Sequence, residues 1–428
     1  MRLEKLLAFA FVALCGGVLT FSLTRGQNPP PQLPAQAPQN RPLSEPAAAP
    51  GRDLAKLTPL QQQMYLAAQR GADWLYRSNR PDGRFEYGFL PALKTKLDGD
   101  HFLRQAGAAF ALARAARFTG DERHAAVARQ ALLTLLLETS TTDVPNAKLL
   151  MRHTTLPSVA VNRLAAAGLL VLAINELPQP AGDLLEQSEE LCNYIGRQLQ
   201  ADGSLCYWDN PADPQPNSDP EGINYYPGEA LYALMRSQQH RPADWKKDVL
   251  RKSLAYYRPW WQKNKNMAFV TWQTAAYAEA YLATKEQPFA DFVFEMSDWL
   301  CELQYKTLDP RHPLWTGGFL AWTDGKPATV APTISSASYA EGLVEACRAA
   351  KQAADPQRHQ KYKEAVQRAL QFTATLQFTE ANTQHFADWY RPRLVGGFHA
   401  SHQDGNLRID YNQHAVSTMV QYLAYLTD

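Results

Sequence analysis

The sequence predicts an all-α protein, an (α/α)6 toroid in which six inner helices are enclosed by six outer ones. Three observations predict it. Helical periodicity runs through nearly the whole chain, and period-two strand patterns are almost absent. Twelve helical segments follow one another, the number that six hairpins require. Charged amphipathic segments alternate with segments rich in Ala, Gly and Ser, the first suited to an outer surface and the second to close packing inside a ring. An open α-solenoid obeys the same local rules. Closure is favoured because the hairpins number six and their polarity gathers at one end.

The chain begins with eighteen mostly apolar residues, "LLAFAFVALCGGVLTFSL", behind a weakly basic start, so residues 1–25 read as an export signal or a short membrane anchor. Residues 26–57 are rich in Pro, Ala and Gln and read as a disordered spacer. The folded domain, 58–428, is then expected to be exported: periplasmic, or membrane-anchored and facing outward through the N-terminal segment alone. Within it, helices are expected at 58–79, 101–119, 121–139, 158–176, 182–199, 225–239, 242–258, 267–284, 288–304, 335–353, 356–377 and 412–426. Gly120-Asp121, Pro178, Pro242, Pro288 and Pro356 punctuate them.

Internal repeats support the hairpins. The segments "GADWLYRSNRPDGRFEYGF", "CNYIGRQLQADGSLCYW", "SDWLCELQYKTLD…WTGGFLAW" and "ALQFTATLQFTEAN…VGGFHAS" share one plan, an amphipathic helix, a polar turn, then Gly followed by an aromatic. "FTGDERHAAVARQALLTLL" and "AADPQRHQKYKEAVQRAL" share another, a polar turn that opens a charged helix. This plan, with its "PDGRF" and "GDERHAA" turns, resembles the six-hairpin glycosidase-like superfamily over about 58–428, and the pair "NYYPGEALYAL" and "GGF…RIDYNQH" resembles exported bacterial toroid proteins of unassigned activity. The resemblance implies a carbohydrate-active enzyme: a glycoside hydrolase, a uronate lyase or an epimerase. Squalene-cyclase-like toroids have similar turns, but neither D-x-D-D nor D-D-x-x-D occurs here.

Composition narrows the partners. A net charge of +1 offers no nucleic-acid surface, and an aromatic content of 11% suits clefts that stack on sugars. A glycan or other small polar substrate is expected. Cys192, Cys206, Cys301 and Cys347 show no zinc spacing, so no metal or cofactor is expected and buried free thiols are the simplest reading.

In a toroid the loops into the inner helices line one mouth, where free N–H groups favour anionic or hydroxyl ligands. The first entrance, "KTKLDGDHFLRQAG", has Asp100 as a candidate N-cap and Arg104 and Gln105 as candidates to bind a carboxylate or vicinal hydroxyls. The second carries Arg152, His153, Asn162 and Arg163. The third, "DPEGINYYPGEALYAL", combines Glu221, Tyr225, Tyr226 and Glu229, with Tyr226 read as N-cap, Pro227 at the first position and Glu229 as structural or as a proton donor. The fourth offers Trp272 and Gln273; the fifth, Tyr339 and Glu341, where Ser338 and Glu341 also fit a capping box. The sixth, "GNLRIDYNQHAVSTMV", crowds Arg408, Asp410, Tyr411, Gln413 and His414 into one turn. Asp410 and Gln413 have capping-box spacing, and Asp410 and His414, four apart, can face each other. Trp208 is a candidate wall of the cleft.

Two chemistries fit. Hydrolysis, the leading expectation because the resemblance implies an architecture that this chemistry dominates, would pair Glu229 with Asp410 across a glycosidic bond. Lyase or epimerase chemistry would use Tyr411 or His414 as base, with Arg104 and Arg408 holding an acid. A non-catalytic glycan- or peptide-binding toroid is the alternative from another class.

Overall fold

The computed structural model describes residues 54–143, 149–208, 220–323 and 325–427. The expected signal and nearly all of the spacer lie outside them. Among the described residues, no helix is long and apolar enough to cross a membrane.

Among the described residues, twelve α-helices appear in the expected order: α1 (Pro59–Ser78), α2 (Phe102–Thr119), α3 (Glu122–Leu136), α4 (Arg163–Glu176), α5 (Gly182–Arg197), α6 (Tyr226–Ser237), α7 (Asp244–Lys263), α8 (Met267–Thr284), α9 (Gln287–Glu302), α10 (Ser335–Gln352), α11 (Pro356–Thr375) and α12 (Ile409–Tyr425). The even-numbered helices touch in sequence from α2 to α12, and α12 packs back on α2. The ring is closed. Odd-numbered helices pack around it, α1 chiefly on α12, α3 on α2, α5 on α4, α9 on α8 and α11 on α10.

The small residues of the inner helices have a measurable purpose. A Cβ added at Gly107 would lie 2.0 Å from Gln413 Oε1, one at Gly228 2.7 Å from Trp272 Cβ, and one at Gly168 or Gly342 3.1 Å from the neighbouring helix backbone. Inner helices thus approach until backbone meets side chain or backbone, a distance that leaves no room for a Cβ at these four positions.

The four "Gly-aromatic" repeats form one motif. Each makes an isolated bridge just past an outer helix: Asn79 with Phe85, Leu199 with Leu205, Gln304 with Phe319 and Gln377 with Phe398. Gly203, Gly317 and Gly396 have positive φ and sit against carbonyl oxygens of Lys252, Arg368 and Arg70, where any Cβ would meet backbone at 2.1–2.3 Å. Glycine is required there on both counts.

Sequence boundaries differ from the structure where side chains override local signals. Helix α4 starts at Arg163 because the Asn162 side chain accepts from Ala165 N–H as N-cap. Helix α7 runs through Pro259 to Lys263, and this added turn buries Trp261 completely. Helix α12 begins three residues early, at Ile409.

The loops also hold short strands: β1 (Gly88–Leu90), β2 (Thr95–Lys96), β3 (Thr139–Asp143), β4 (Leu150–Thr154), β5 (Ala321–Thr323), β6 (Lys326–Ala328), β7 (His399–Ser401) and β8 (Asp404–Arg408). The largest sheet is antiparallel in the order β2-β1-β8-β7, with Gly88 opposite Arg408. It joins the loop after α1 to the loop before α12, and Ile409 N–H donates to Tyr87 O at 3.1 Å. Arg408 is therefore fixed at once as the end of a strand and the N-cap of a helix. Among the described residues, Cys192, Cys206, Cys301 and Cys347 form no disulfide.

Candidate active site at the N-terminal mouth

A cavity of about 360 Å³ opens where the inner helices begin. All six inner helices contribute to its wall. The first turns of α2, α6, α8, α10 and α12 converge there with their free N–H groups and dipoles, so the mouth favours negative charge before any side chain is counted.

Helix α6 supplies Glu229, which is 7% exposed and whose Oε2 has no hydrogen-bond partner. Burial alone pushes its carboxyl up to about 8, so it is largely protonated at neutral pH. Its setting differs from the expected cap: Tyr225 is the N-cap, Tyr226 and Pro227 open the helix, and Glu229 falls at the fourth position. Tyr225, 41% exposed, and Tyr226 both line the cavity beside it. Burial, then Glu221 and Glu229, raise the Tyr225 hydroxyl.

Helix α12 supplies Arg408, Asp410, Tyr411, Gln413 and His414, all on the cavity wall. The Arg408 fork donates to both oxygens of Asp410, at 2.8 and 2.7 Å, and Arg104 Nε lies 3.4 Å from Oδ2. Arg408 also covers the Tyr411 ring at 4.4 Å. Asp410 therefore does not face His414, and with Ile409 at the first helical position it forms no capping box with Gln413. The partner of His414 comes from α10: Nδ1 is 2.9 Å from Glu341 Oε2. The Trp272 ring lies 5.9 Å from the imidazole. With Nδ1–H given to a carboxylate, a neutral imidazole keeps its lone pair on Nε2.

Other candidates divide cleanly. Arg104, Trp272 and Tyr339 line the cavity, and burial pushes the Tyr339 hydroxyl up to about 12. Gln105 does not: its amide bridges Phe85 N and O and Asp100 Oδ1 at 2.8–2.9 Å, a structural clamp on the first repeat turn. Asp100 is not the N-cap, a position taken by His101. Gln273 is buried beneath the mouth, Trp208 and Glu221 lie outside the cavity wall, and Glu341 sits under His414, out of reach of a ligand. Glu341 forms no capping box with Ser338, because α10 already starts at Ser335. The second entrance contributes only Leu169 to the wall, since Arg152 pairs with Glu190 and Asn162 caps α4.

Sequence reading missed His101, Arg114 and Ser417. His101 lines the cavity, with Nδ1 buried and unpartnered, and burial lowers its pKa. Arg114 interrupts the small-residue run "AAFALARAA", a signal that was legible but far from any helix entrance.

At the opposite end the inner helices finish in a second cavity of about 280 Å³, bordered by Arg114, Arg117, Glu176, Arg236 and Tyr425. Glu176 accepts from Arg114 at 3.0 Å and Arg236 at 2.9 Å, and Arg236 also reaches Glu279 at 3.0 Å. Arg348 donates to Glu279 at 2.7 Å and to Glu345. Burial opposes ionisation of Glu176, but Arg236, Arg114 and Arg117 outweigh it and hold the carboxyl at about 2.

No family model matches the chain, and no curated protein sequence does. Solved structures do. A D-mannose isomerase superposes with a TM-score of 0.60 at 11% identity, over 86% of this chain and 99% of that one. An unsaturated glucuronyl hydrolase specific for heparin gives 0.59 at 12% identity, over 85% and 97%. An α-1,6-mannanase of Salegentibacter sp. gives 0.55 at 10% identity, over 85% and 99%. At these identities the likeness is one of fold: the chain shares the (α/α)6 toroid of these structures.

Proposed function

We propose that the protein is a carbohydrate-active enzyme that moves protons on a sugar, with Glu229 as proton donor and His414 Nε2 as proton acceptor. The leading reaction is proton transfer at a sugar carbon next to a carbonyl or carboxylate, the chemistry of isomerases, epimerases and uronate lyases.

One observation carries this choice: the cavity wall is built to stabilise negative rather than positive charge. Five helix N-termini converge on it, Glu229 is neutral, and two guanidiniums, Arg104 and Arg408, stand against the single carboxylate of Asp410. Removing a proton from carbon beside a carbonyl or carboxylate builds negative charge on oxygen, which guanidinium and a neutral acid stabilise. Glycosidic cleavage builds an oxocarbenium-like cation and calls for two carboxylates flanking the bond. Asp410 is already committed to two arginines. Tyr225, Tyr226, Trp272 and Tyr339 supply flat faces and hydroxyls for a sugar ring, and the volume suits one or two rings.

A second reading, glycoside hydrolysis, draws on the state of Glu229. A protonated, desolvated carboxylic acid is what protonation of a leaving-group oxygen needs. The names of the similar structures, two hydrolases and an isomerase among them, fit either reading. The N-terminal segment supports a place outside the cytoplasmic membrane, which fractionation of the native host would test.

Incubating a panel of sugars, uronates and oligosaccharides in D2O separates the readings. Deuterium at a sugar carbon, or an unsaturated uronate where the glycosidic oxygen has left by elimination, lost in Glu229→Gln, is the expected result. New reducing ends with neither deuterium nor an unsaturated sugar would turn the assignment to hydrolysis, and tight binding with no product would end the enzyme reading.

A further inference from the structure

The reading of His414 as base rests on a proton being held at its other nitrogen, and a chain of contacts accounts for that. Glu341 Oε2 faces His414 Nδ1 at 2.9 Å. Its other oxygen, Oε1, accepts from Arg114 Nη1 at 3.1 Å and from Ser417 Oγ at 2.5 Å. Arg114 Nη1 also donates to Ser417 Oγ at 2.5 Å, so guanidinium, hydroxyl and carboxylate form a closed triangle. The remaining Arg114 donors are spent elsewhere: Nε and Nη2 on Glu176 at 3.3 and 3.0 Å, and Nη2 on the Tyr232 hydroxyl at 3.0 Å. Arg114 is 5% and Glu341 3% exposed, so neither side chain has room to turn.

We propose that Arg114 and Ser417 are positioning residues of the N-terminal site: they hold one oxygen of Glu341 so that the other accepts from His414 Nδ1, which leaves Nε2 free to take a proton in the cavity. The proposal deepens the function assigned above and depends on it for its kinetic consequence, but not for the tautomer. Three helices, α2, α10 and α12, meet in the triangle, so the orientation of the imidazole is set by ring closure rather than by its own helix. Lysine cannot replace Arg114 here, because a single ammonium cannot serve Glu341, Ser417, Glu176 and Tyr232 with a planar fork. Ser417 and His414 are three apart on α12, so the same turn carries both the base and a clamp on its partner.

The test is nitrogen-15 NMR of histidine-labelled protein, with the His414 signal assigned from its loss in His414→Gln. The wild type is expected to carry its proton on Nδ1. Glu341→Gln presents an amide in place of the carboxylate. It is expected to move the proton to Nε2 and to lower kcat about 100-fold or more with KM little changed. Ser417→Ala, which leaves the buried ion pair intact, is expected to retain the tautomer as a mixture and to lose about tenfold in kcat, the worth of one hydrogen bond to a charged group. A wild-type proton on Nε2, or an unaltered His414 signal in Glu341→Gln, would overturn the proposal. If the tautomer moves as expected while no sugar gains deuterium at carbon and none is converted to an unsaturated product, the positioning stands and the proton-transfer reading falls.

Discussion

The two ends of the toroid are made from the same six inner helices, yet they treat a buried carboxyl group in opposite ways. At the C-terminal end Glu176 meets three arginines and is held ionised. At the N-terminal end Glu229, equally buried, meets no cation and keeps its proton. Helix dipoles explain part of the division. Cations belong where carbonyls are exposed, and Arg114, Arg117, Arg236 and Arg348 all lie in the second halves of their helices. The lesson is that one fold separates structural charge from chemical charge by helix direction. The paired carboxylate holds the ring, and the unpaired acid at the other end is free to react.

Loss of activity should be greatest when the chemical end is struck. Glu229→Gln should lower kcat/KM by about 10²- to 10⁴-fold, the usual worth of a positioned proton donor, while leaving the thermal midpoint at neutral pH unchanged or higher. A midpoint that fell by many degrees would make Glu229 a structural group. The mirror experiment strikes the paired end: Arg236→Ala leaves Glu176 and Glu279 short of a partner and should cost roughly 3–5 kcal/mol in denaturant unfolding. Little loss of stability there would mean the network is not what holds the ring.

Acid and base sharpen the comparison, because the two carboxyls pull stability in opposite directions. Glu229 has a folded pKa raised to about 8, against an unfolded value of about 4.3. Its contribution is fully present below the unfolded value and is lost as pH rises through about 8, at close to 1.4 kcal/mol per pH unit in between. Glu176 has a folded value lowered to about 2, so its contribution is present above about 4.3 and lost as pH falls through about 2. Unfolding free energy measured against pH should therefore decline from pH 5 to 8 in the wild type, and more shallowly in Glu229→Gln. Identical slopes would remove the assigned proton.

The smallest effects separate neighbours at one entrance. Arg104→Gln should raise KM about tenfold with stability intact, whereas Gln105→Leu should cost about 1–3 kcal/mol of stability with KM intact, because it strands the Phe85 backbone. Reversed outcomes would exchange the roles given to them here.

These two residues also show what sequence could and could not reveal. The periodicity, the repeats and the small-residue helices carried the toroid, since each is a local pattern with a global meaning. The mouth was legible for the same reason: knowing that inner helices share a direction puts Glu229, Tyr225, Arg104, Arg408 and His414 around one space. What was hidden is rotation. Gln105 lies one residue from Arg104, about 100° further around the helix, and so faces the core. Pairing was hidden too. Asp410 and His414 have the spacing to meet, but Arg408 lies nearer to Asp410 in sequence and a carboxylate on another helix reaches the imidazole first. The short strands went unseen because they are two to five residues long, below the length at which alternation is readable.

The contact between α12 and the first hairpin has a bearing on how the molecule comes into being. A nascent chain leaving the ribosome can stack hairpin on hairpin as they emerge, but the first waits with an exposed apolar flank until α12 arrives more than 300 residues later. That same late segment brings His414, so no intermediate short of the sealed circle possesses the chemistry. Assembly and competence arrive together.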